Sequence, residues 1–307
     1  MGAQFDRIAA GGLATSTEQR LKELTRWGGF SSFLSAPELA VAESVGLDPV
    51  GQVVGIAAGF VRPGYVRWAD RWGRAVVPGA SGGSAPPGSG LESARWQRHP
   101  QIVLGWNALR RRALARLTDQ AERLGCQAVI GIQAHRDTKP AEGEGADAVI
   151  RFTGTAVRID QWRRRKAPPV LVLGTMTEVA VMLRYGIEPL GIVGGVGRIE
   201  LRPSETTMRA TRRTGYSAPN AELEDVTHSI YEARRGAMVA VHAEAAKLHA
   251  TGVLAVTLEV DQHGTTTRSL PGVGFTAHAL GVAVRRTAPP TRRLARPVLD
   301  LGARPDG

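Results

Sequence analysis

One stretch of this chain occurs twice. Glu38–Gly55 aligns without a gap on Glu178–Gly195, and eight of the 18 positions are identical. Unrelated stretches of that length share about one identity, so the match is an internal repeat. Four further pairs swap like for like: Leu39 with Val179, Leu47 with Ile187, Asp48 with Glu188 and Val50 with Leu190. A repeat of this kind predicts two similar folding units and invites pseudo-symmetric assembly. The length of 307 residues agrees, since it suits about two domains.

Each copy reads as one plan. A short helix near 37–45, or 176–185, runs into Gly-(Leu/Ile)-(Asp/Glu)-Pro. Gly46 and Gly186 suit the position just past a helix end, and Pro49 and Pro189 forbid continuation. A Val/Ile strand broken by glycines follows, Val50–Ala58 and Leu190–Leu201. A long amphipathic helix comes next, near Gln101–Leu124 and near Ala221–His249. The stripes expected to face the core are Ile102, Leu109, Ala113, Leu117 and Leu124 in the first, and Leu223, Val226, Ile230, Met238, Val241, Ala245 and Leu248 in the second. Two strands close each unit: Ala128–Ala134 with Val149–Ile159, and Gly252–Leu258 with Gly274–Arg285.

The predicted fold is α+β: two tandem β-α-β-β modules, each a small antiparallel sheet packed on one long helix. A helical arm spans 1–36, with its helix near Ser16–Trp27. The first module covers 37–160 and carries a Gly/Ser/Pro-rich, flexible insertion at about 71–98. A basic linker covers 161–168, the second module 169–286, and a Pro/Arg-rich disordered tail 287–307. A three-stranded sheet with one helix is marginal alone, so its edges are expected to pair across modules or subunits.

Composition narrows the function classes. Lys+Arg number 39 against 28 Asp+Glu, a net charge of +11. Much of the excess falls in Arg163-Arg164-Arg165-Lys166 and in the tail, where it favours nonspecific polyanion contact. No aromatic stripe accompanies it, which argues against a base-stacking platform. A single cysteine, Cys126, excludes an intramolecular disulfide framework. No apolar run long enough to span a membrane and no leader is read, so the expected location is the cytoplasm.

The run Ala113–Ile132, with Leu124-Gly125-Cys126-Gln127-Ala128-Val129-Ile130-Gly131-Ile132, and then Phe152-Thr153-Gly154-Thr155-Ala156-Val157, resembles the YbjQ-like family, a name tied to heavy-metal binding. Cys126 and Gln127 stand where that family usually carries Ala and Asn. The second copy diverges further, with His249-Ala250-Thr251-Gly252-Val253 and Gly281-Val282-Ala283-Val284 at the matching places. The tandem arrangement, led by Ser31-Ser32-Phe33-Leu34-Ser35-Ala36-Pro37-Glu38, is similar to actinobacterial two-copy relatives. The resemblance implies a dodecin-like α+β unit, ring-like homo-oligomers (pentameric in single-copy relatives, or pseudo-symmetric here) and a divalent or heavy metal ion as ligand.

Candidate ligands for such a metal are Glu259, Asp261 and His263, alternate residues that share one face of a strand. His135 and Asp137 are their counterparts in the first copy. Glu224 and His228, one helical turn apart, form a further pair. A polar hairpin end and a solvated helix face are the competing accounts. Arg110-Arg111 and Arg234-Arg235 recur at matched helix positions. They read as solvated surface, as a charged rim at a module or subunit contact, or as an anion-binding ring.

Catalysis finds little support. Gly191–Gly197 is rich in glycine but lacks the Lys-Ser/Thr of a phosphate loop, so tight strand packing or a bulge is expected there. No nucleophile elbow occurs, and Cys126 lies at a helix end, where its thiolate gains no help from the helix dipole. The expectation is a non-enzymatic oligomer. A ring-shaped small-ligand or anion-binding and storage protein, and a nucleic-acid-associated protein acting through its basic linker and tail, are the alternatives.

Overall fold

The structure, a computed structural model, describes residues 13–27, 31–61, 68–69, 75–76, 95–140, 146–159, 167–212, 222–267 and 270–287. Most of the expected insertion, residues 161–166 of the basic linker, the first residues of the arm and the tail from residue 288 lie outside them.

The first half comprises α1 (Thr15–Trp27), α2 (Ala36–Ser44), β1 (Leu47–Val61), three short strands β2 (Trp68–Ala69), β3 (Ala75–Val76) and β4 (Arg95–Arg98), then α3 (Pro100–Arg123), β5 (Ala128–Pro140) and β6 (Ala146–Ile159). The second comprises β7 (Val170–Leu171), α4 (Met176–Arg184), β8 (Ile187–Arg202), α5 (Glu205–Arg212), α6 (Glu224–Lys247), β9 (Gly252–Thr267) and β10 (Leu270–Arg286).

Local chemistry explains the repeated entry into each half. Glu38 accepts the Ser35 N–H at 2.9 Å and Glu178 accepts the Thr175 N–H at 2.7 Å, so a capping box opens both α2 and α4. Both helices end on a glycine in the left-handed region, Gly46 at φ 71° and Gly186 at φ 65°. The strands then start earlier than expected. Pro49 and Pro189 lie inside β1 and β8, each beside a register shift, because a bulge spares proline the ladder hydrogen bond it cannot give.

Two sheets result, in the orders β1-β6-β5-β7 and β3-β2-β4-β8-β10-β9. The expected three-stranded sheets are therefore enlarged, and the added strands are exchanged. β4 comes from the first half and pairs antiparallel with β8, Arg98 opposite Ile199. β7 opens the second half and pairs in parallel with β5, Ala128 opposite Val170. Each borrowed strand satisfies edge N–H and C=O groups of the half that receives it.

The long helices lie very close to their strands. A Cβ on Gly197 would fall 1.9 Å from the Ala233 carbonyl oxygen, and one on Gly195 would fall 2.1 Å from that of Ala237. The buried face of α6 is accordingly Ser229, Ala233, Ala237, Val241 and Ala245. The larger residues expected there, Val226, Ile230 and Met238, are only half-buried at its flanks. Gly55 packs on the Ala113 carbonyl of α3 in the same way.

One core fills the space between α3 and the first sheet, and another the space between α6 and the second. β10 links them. Its residues Phe275, Ala277, Ala279 and Ala283 face α6. From its other face Leu280 enters the first half's core, and Val282 and Val284 join α2, α4 and the far side of β5 in a third cluster. Among the described residues no helix is long and apolar enough to cross a membrane.

Candidate functional site

A group of buried polar side chains lies where the halves meet. The start of α3 brings Trp106 and Arg110, β5 brings Arg136, and they face Val196 and Arg198 of β8 and His278 of β10. The side chains enclose a cavity of about 20 Å3, lined by Trp106, Arg110, Arg136, Phe152, Val196 and His278 among others. That volume suits a water molecule.

Trp106 meets His278 edge to face, 4.8 Å between ring centres at 82°. Burial pushes the His278 pKa down to about 3, helped by the positive charges of Arg136, Arg110 and Arg198. The imidazole is therefore neutral near pH 7. Asp261 lies 3.7 Å from its Nε2. Arg110, almost fully buried, donates to Glu244 of α6 at 2.5 Å. The other Glu244 oxygen accepts the Gly194 N–H at 2.9 Å. Burial lowers the Arg110 pKa and Glu244 partly restores it. Arg198 donates to Thr276 at 2.7 Å, and burial lowers its pKa to about 10.

Further along the seam, His99 and Glu200 are both buried and lie 2.6 Å apart. Trp96 of β4 donates to Ser229 of α6 at 2.9 Å and stands edge-on to His228. Arg98 pairs with Glu232 at 3.1 Å. Every one of these contacts joins the first half to the second.

The residues singled out from sequence separate here. Of the four matched arginines only Arg110 is buried in the seam. Arg111 is exposed. Arg234 is exposed and lies 5.8 Å from the ring centre of Tyr231, and Arg235 pairs with Glu232 on the surface. Glu259 and Asp261 do share a face of β9, opposite His278 and Thr276 of β10, and the register sets His263 opposite Gly274. Glu259 already pairs with Arg136. His135 and Asp137 are exposed on β5 opposite Arg151 and Val149. They alternate with Arg136, so they point to the other face of the sheet. Glu224 is exposed, and His228 is taken up by Trp96.

Among the described residues no three His, Cys, Asp or Glu side chains converge as a metal site would require. Cys126, the lone thiol, is buried and its pKa is pushed up to about 12, so it offers no thiolate. The donor set on the described residues does not fit a heavy-metal ion, which favours clustered thiolates or imidazoles.

Trp106 and Arg198 escaped the sequence reading, and His278 enters it only as one of several candidate metal ligands. No periodicity marks them, because their burial comes from the other half. The one available signal was Arg110, a charge standing next to Leu109 on an otherwise apolar helix face.

Residues 101–160 match a family model, YbjQ-like, whose description is "Putative heavy-metal-binding". This confirms the family resemblance for that part of the chain. A protein of Mycobacterium tuberculosis named "Encapsulin nanocompartment protein" is 25% identical over 265 residues, covering 84% of this chain and 86% of that one. A UPF0145 protein of Synechocystis is 42% identical over 50 residues, 16% of this chain and 46% of its own length. No solved structure matches.

Proposed function

We propose that the chain is a non-enzymatic building block of two like modules, which joins copies of itself head to tail through the contact its own halves make. One observation carries the reading. Val196 on the outer face of β8 is 5% exposed beneath the first half, whereas its repeat partner on β1, Ile56, is 45% exposed. Phe60, the partner of buried Glu200, is exposed as well. The complementary surface is also open: Arg110 is buried in the seam, and its counterpart Arg234 on α6 is exposed. One face of each half's contact is thus left at either end of the chain.

The described part of the arm, α1, leaves this face accessible. Arg20 of α1 donates to Gln120 at 3.0 Å and to the Gln52 carbonyl at 3.1 Å, so α1 covers β1 near Gln52 and Val54, and the open residues begin beyond. An interface that joins unlike surfaces closes into a ring when its rotation allows. The name of the Mycobacterium tuberculosis relative, a nanocompartment protein, supports an assembled state. The chemistry of the described residues supports a non-catalytic role, since His278 in the seam is held neutral and the buried Cys126 thiol is protonated. We place the protein in the cytoplasm, in keeping with its unbridged cysteine.

Light scattering of the purified chain tests the reading. The expected mass is a multiple of 32.7 kDa. Ile56→Asp is expected to shift it towards the monomer with unchanged circular dichroism. A native chain that is monomeric at micromolar concentration would sink the proposal. Metal analysis of untagged protein belongs with it, because one or more metal ions per chain would favour a metal-holding ring instead.

A further inference from the structure

The outer edge of β9 is the bare counterpart of an edge that the first half keeps covered. On the first half's sheet β7 and the residues after it lie along β5. Val170 donates to the Gln127 carbonyl and Val172 to the Val129 carbonyl, both at 2.9 Å. In return Gly131 donates to Gly174 at 3.0 Å and Ile132 to Val172 at 3.2 Å. The segment also supplies side chains, with Val170 and Val172 packed on one face of β5 and Leu171 on the other.

β9 is built like β5 down to its irregularity. Both strands carry a bulge against the following strand, at Gly131 and at Ala255. Both residues have positive φ, 65° and 50°. An alanine held there is strained, so the bulge shape is maintained against local preference. Yet β9 ends its sheet, with no strand beyond it among the described residues. Ile130 and Ile132 are 0% and 4% exposed, and their counterparts Leu254 and Val256 are 40% and 42% exposed.

The chain contains a second copy of the covering segment. Pro169-Val170-Leu171-Val172-Leu173-Gly174 recurs as Pro297-Val298-Leu299-Asp300-Leu301-Gly302, five of six residues identical. The spacing agrees. Residues 160–169 connect β6 to the first copy, and residues 287–297 connect β10 to the second, ten residues against eleven. Both connections are rich in Arg and Pro. The one difference suits the new place. Val172 is buried in one cluster with Val282 and Val284 of β10 and with Ala128 and Ile130 of β5, whereas the matching side of β9 faces solvent, where Asp300 is at home.

We propose that residues 297–302 of the same chain lie in parallel along the outer edge of β9 as its missing strand. Val298 and Asp300 donate to the carbonyls of Thr251 and Val253, and Ala255 and Val256 donate in return. Leu299 covers Val253 and Val256. The hydrophobic part of the tail is then a structural strand, and its arginines belong to a connection like that of 160–169. This goes beyond the assembly reading and does not depend on it.

Hydrogen exchange followed by mass spectrometry on the full chain tests the proposal. The expected result is slow exchange across 251–257 in the native protein. In the double variant Val298→Asp, Leu299→Asp it is expected to quicken roughly tenfold or more, while 126–132 and 275–283 keep their protection and so report an intact fold. A variant truncated before Pro297 gives the same reading if the double variant fails to fold. Fast exchange of 251–257 in the native chain would overturn the proposal. So would protection that survives the substitutions, or protection that fades on dilution, since each assigns the edge to another occupant such as a second copy. The Ile56→Asp variant, assembled or not, is expected to retain this protection, which separates the two readings.

Discussion

Arg110 on α3 donates to Glu244 on α6 at 2.5 Å, and the same carboxylate holds the Gly194 N–H of β8 at 2.9 Å. One side chain thus fixes both the edge of its own sheet and the position of the other half. In the first half Gln120 does the first task, accepting the Val54 N–H at 3.2 Å and donating to the Val54 carbonyl. Arg20 donates to Gln120 as Arg110 does to Glu244.

This arrangement predicts a graded response at Glu244. Arg110→Ala leaves the carboxylate without its cation and is expected to cost about 2 kcal/mol, in the range for a hydrogen bond between charged groups, because Glu244 is partly exposed. Arg110→Met combined with Glu244→Gln restores most of the loss, because glutamine keeps the Gly194 hydrogen bond without a charge. Denaturant midpoints at constant slope measure both. Equal losses in the single and double variants would refute the pairing.

Gly197 and Gly236 face each other across the strand–helix contact but differ in tolerance. A Cβ on Gly197 lands on the Ala233 carbonyl at 1.9 Å, whereas one on Gly236 meets only the Gly197 Cα at 3.4 Å. Gly197→Ala is expected to destabilise by about 3 kcal/mol or more by forcing the helix away. Gly236→Ala sits in mid-helix and is expected to stabilise by up to about 1 kcal/mol through helix propensity. Thermal unfolding of the two variants distinguishes these outcomes.

His278 makes stability depend on pH. Its folded pKa of about 3 lies below the ordinary value of 6.5. The unfolded chain therefore takes up the proton first as pH falls. The stabilisation is complete above pH 6.5 and is lost progressively down to about pH 3, to a total of at most about 5 kcal/mol. The groups facing the ring are Trp106 and Arg110 from α3, Arg136 from β5, Arg198 from β8 and Asp261 from β9. His278→Gln is expected to flatten the stability profile between pH 4 and 6 relative to the native chain. An unchanged slope would count against a buried neutral imidazole.

Cys126 should resist thiol reagents in the folded protein. Burial raises its pKa to about 12, and its Sγ points at the Leu124 carbonyl 3.7 Å away. Labelling with iodoacetamide at pH 8 is expected only after denaturant is added. Rapid labelling of the native chain would place the thiol at the surface.

The sequence reading located the long helices and the turns at Gly46 and Gly186 closely, because these follow from patterns within one stretch, whereas the strands run longer than expected and β4, β7 and α5 were not read. It placed Val241 and Ala245 of α6 in the core but missed the small residues at its centre. Ala233 and Ala237 carry little hydrophobic signal, and only the approach of Gly195 and Gly197 makes them core residues. It grouped Glu259 and Asp261 correctly on one face but could not foresee that Arg136, 123 residues away, would pair with Glu259.

Periodicity, capping and repeated glycines are local properties, so the amino-acid order by itself determined an α+β plan with an internal repeat, the ends of its long helices and a resemblance over residues 101–160 to one family. The exchange of β4 and β7 between sheets, the neutral state of His278 and the burial of Arg110 were decided only in three dimensions. Each depends on what a distant segment removes from water. Two copies of one pattern thus became unlike surfaces, with Val196 covered and Ile56 open, because the first half packs over Val196 while no described residue packs over Ile56 in the same way.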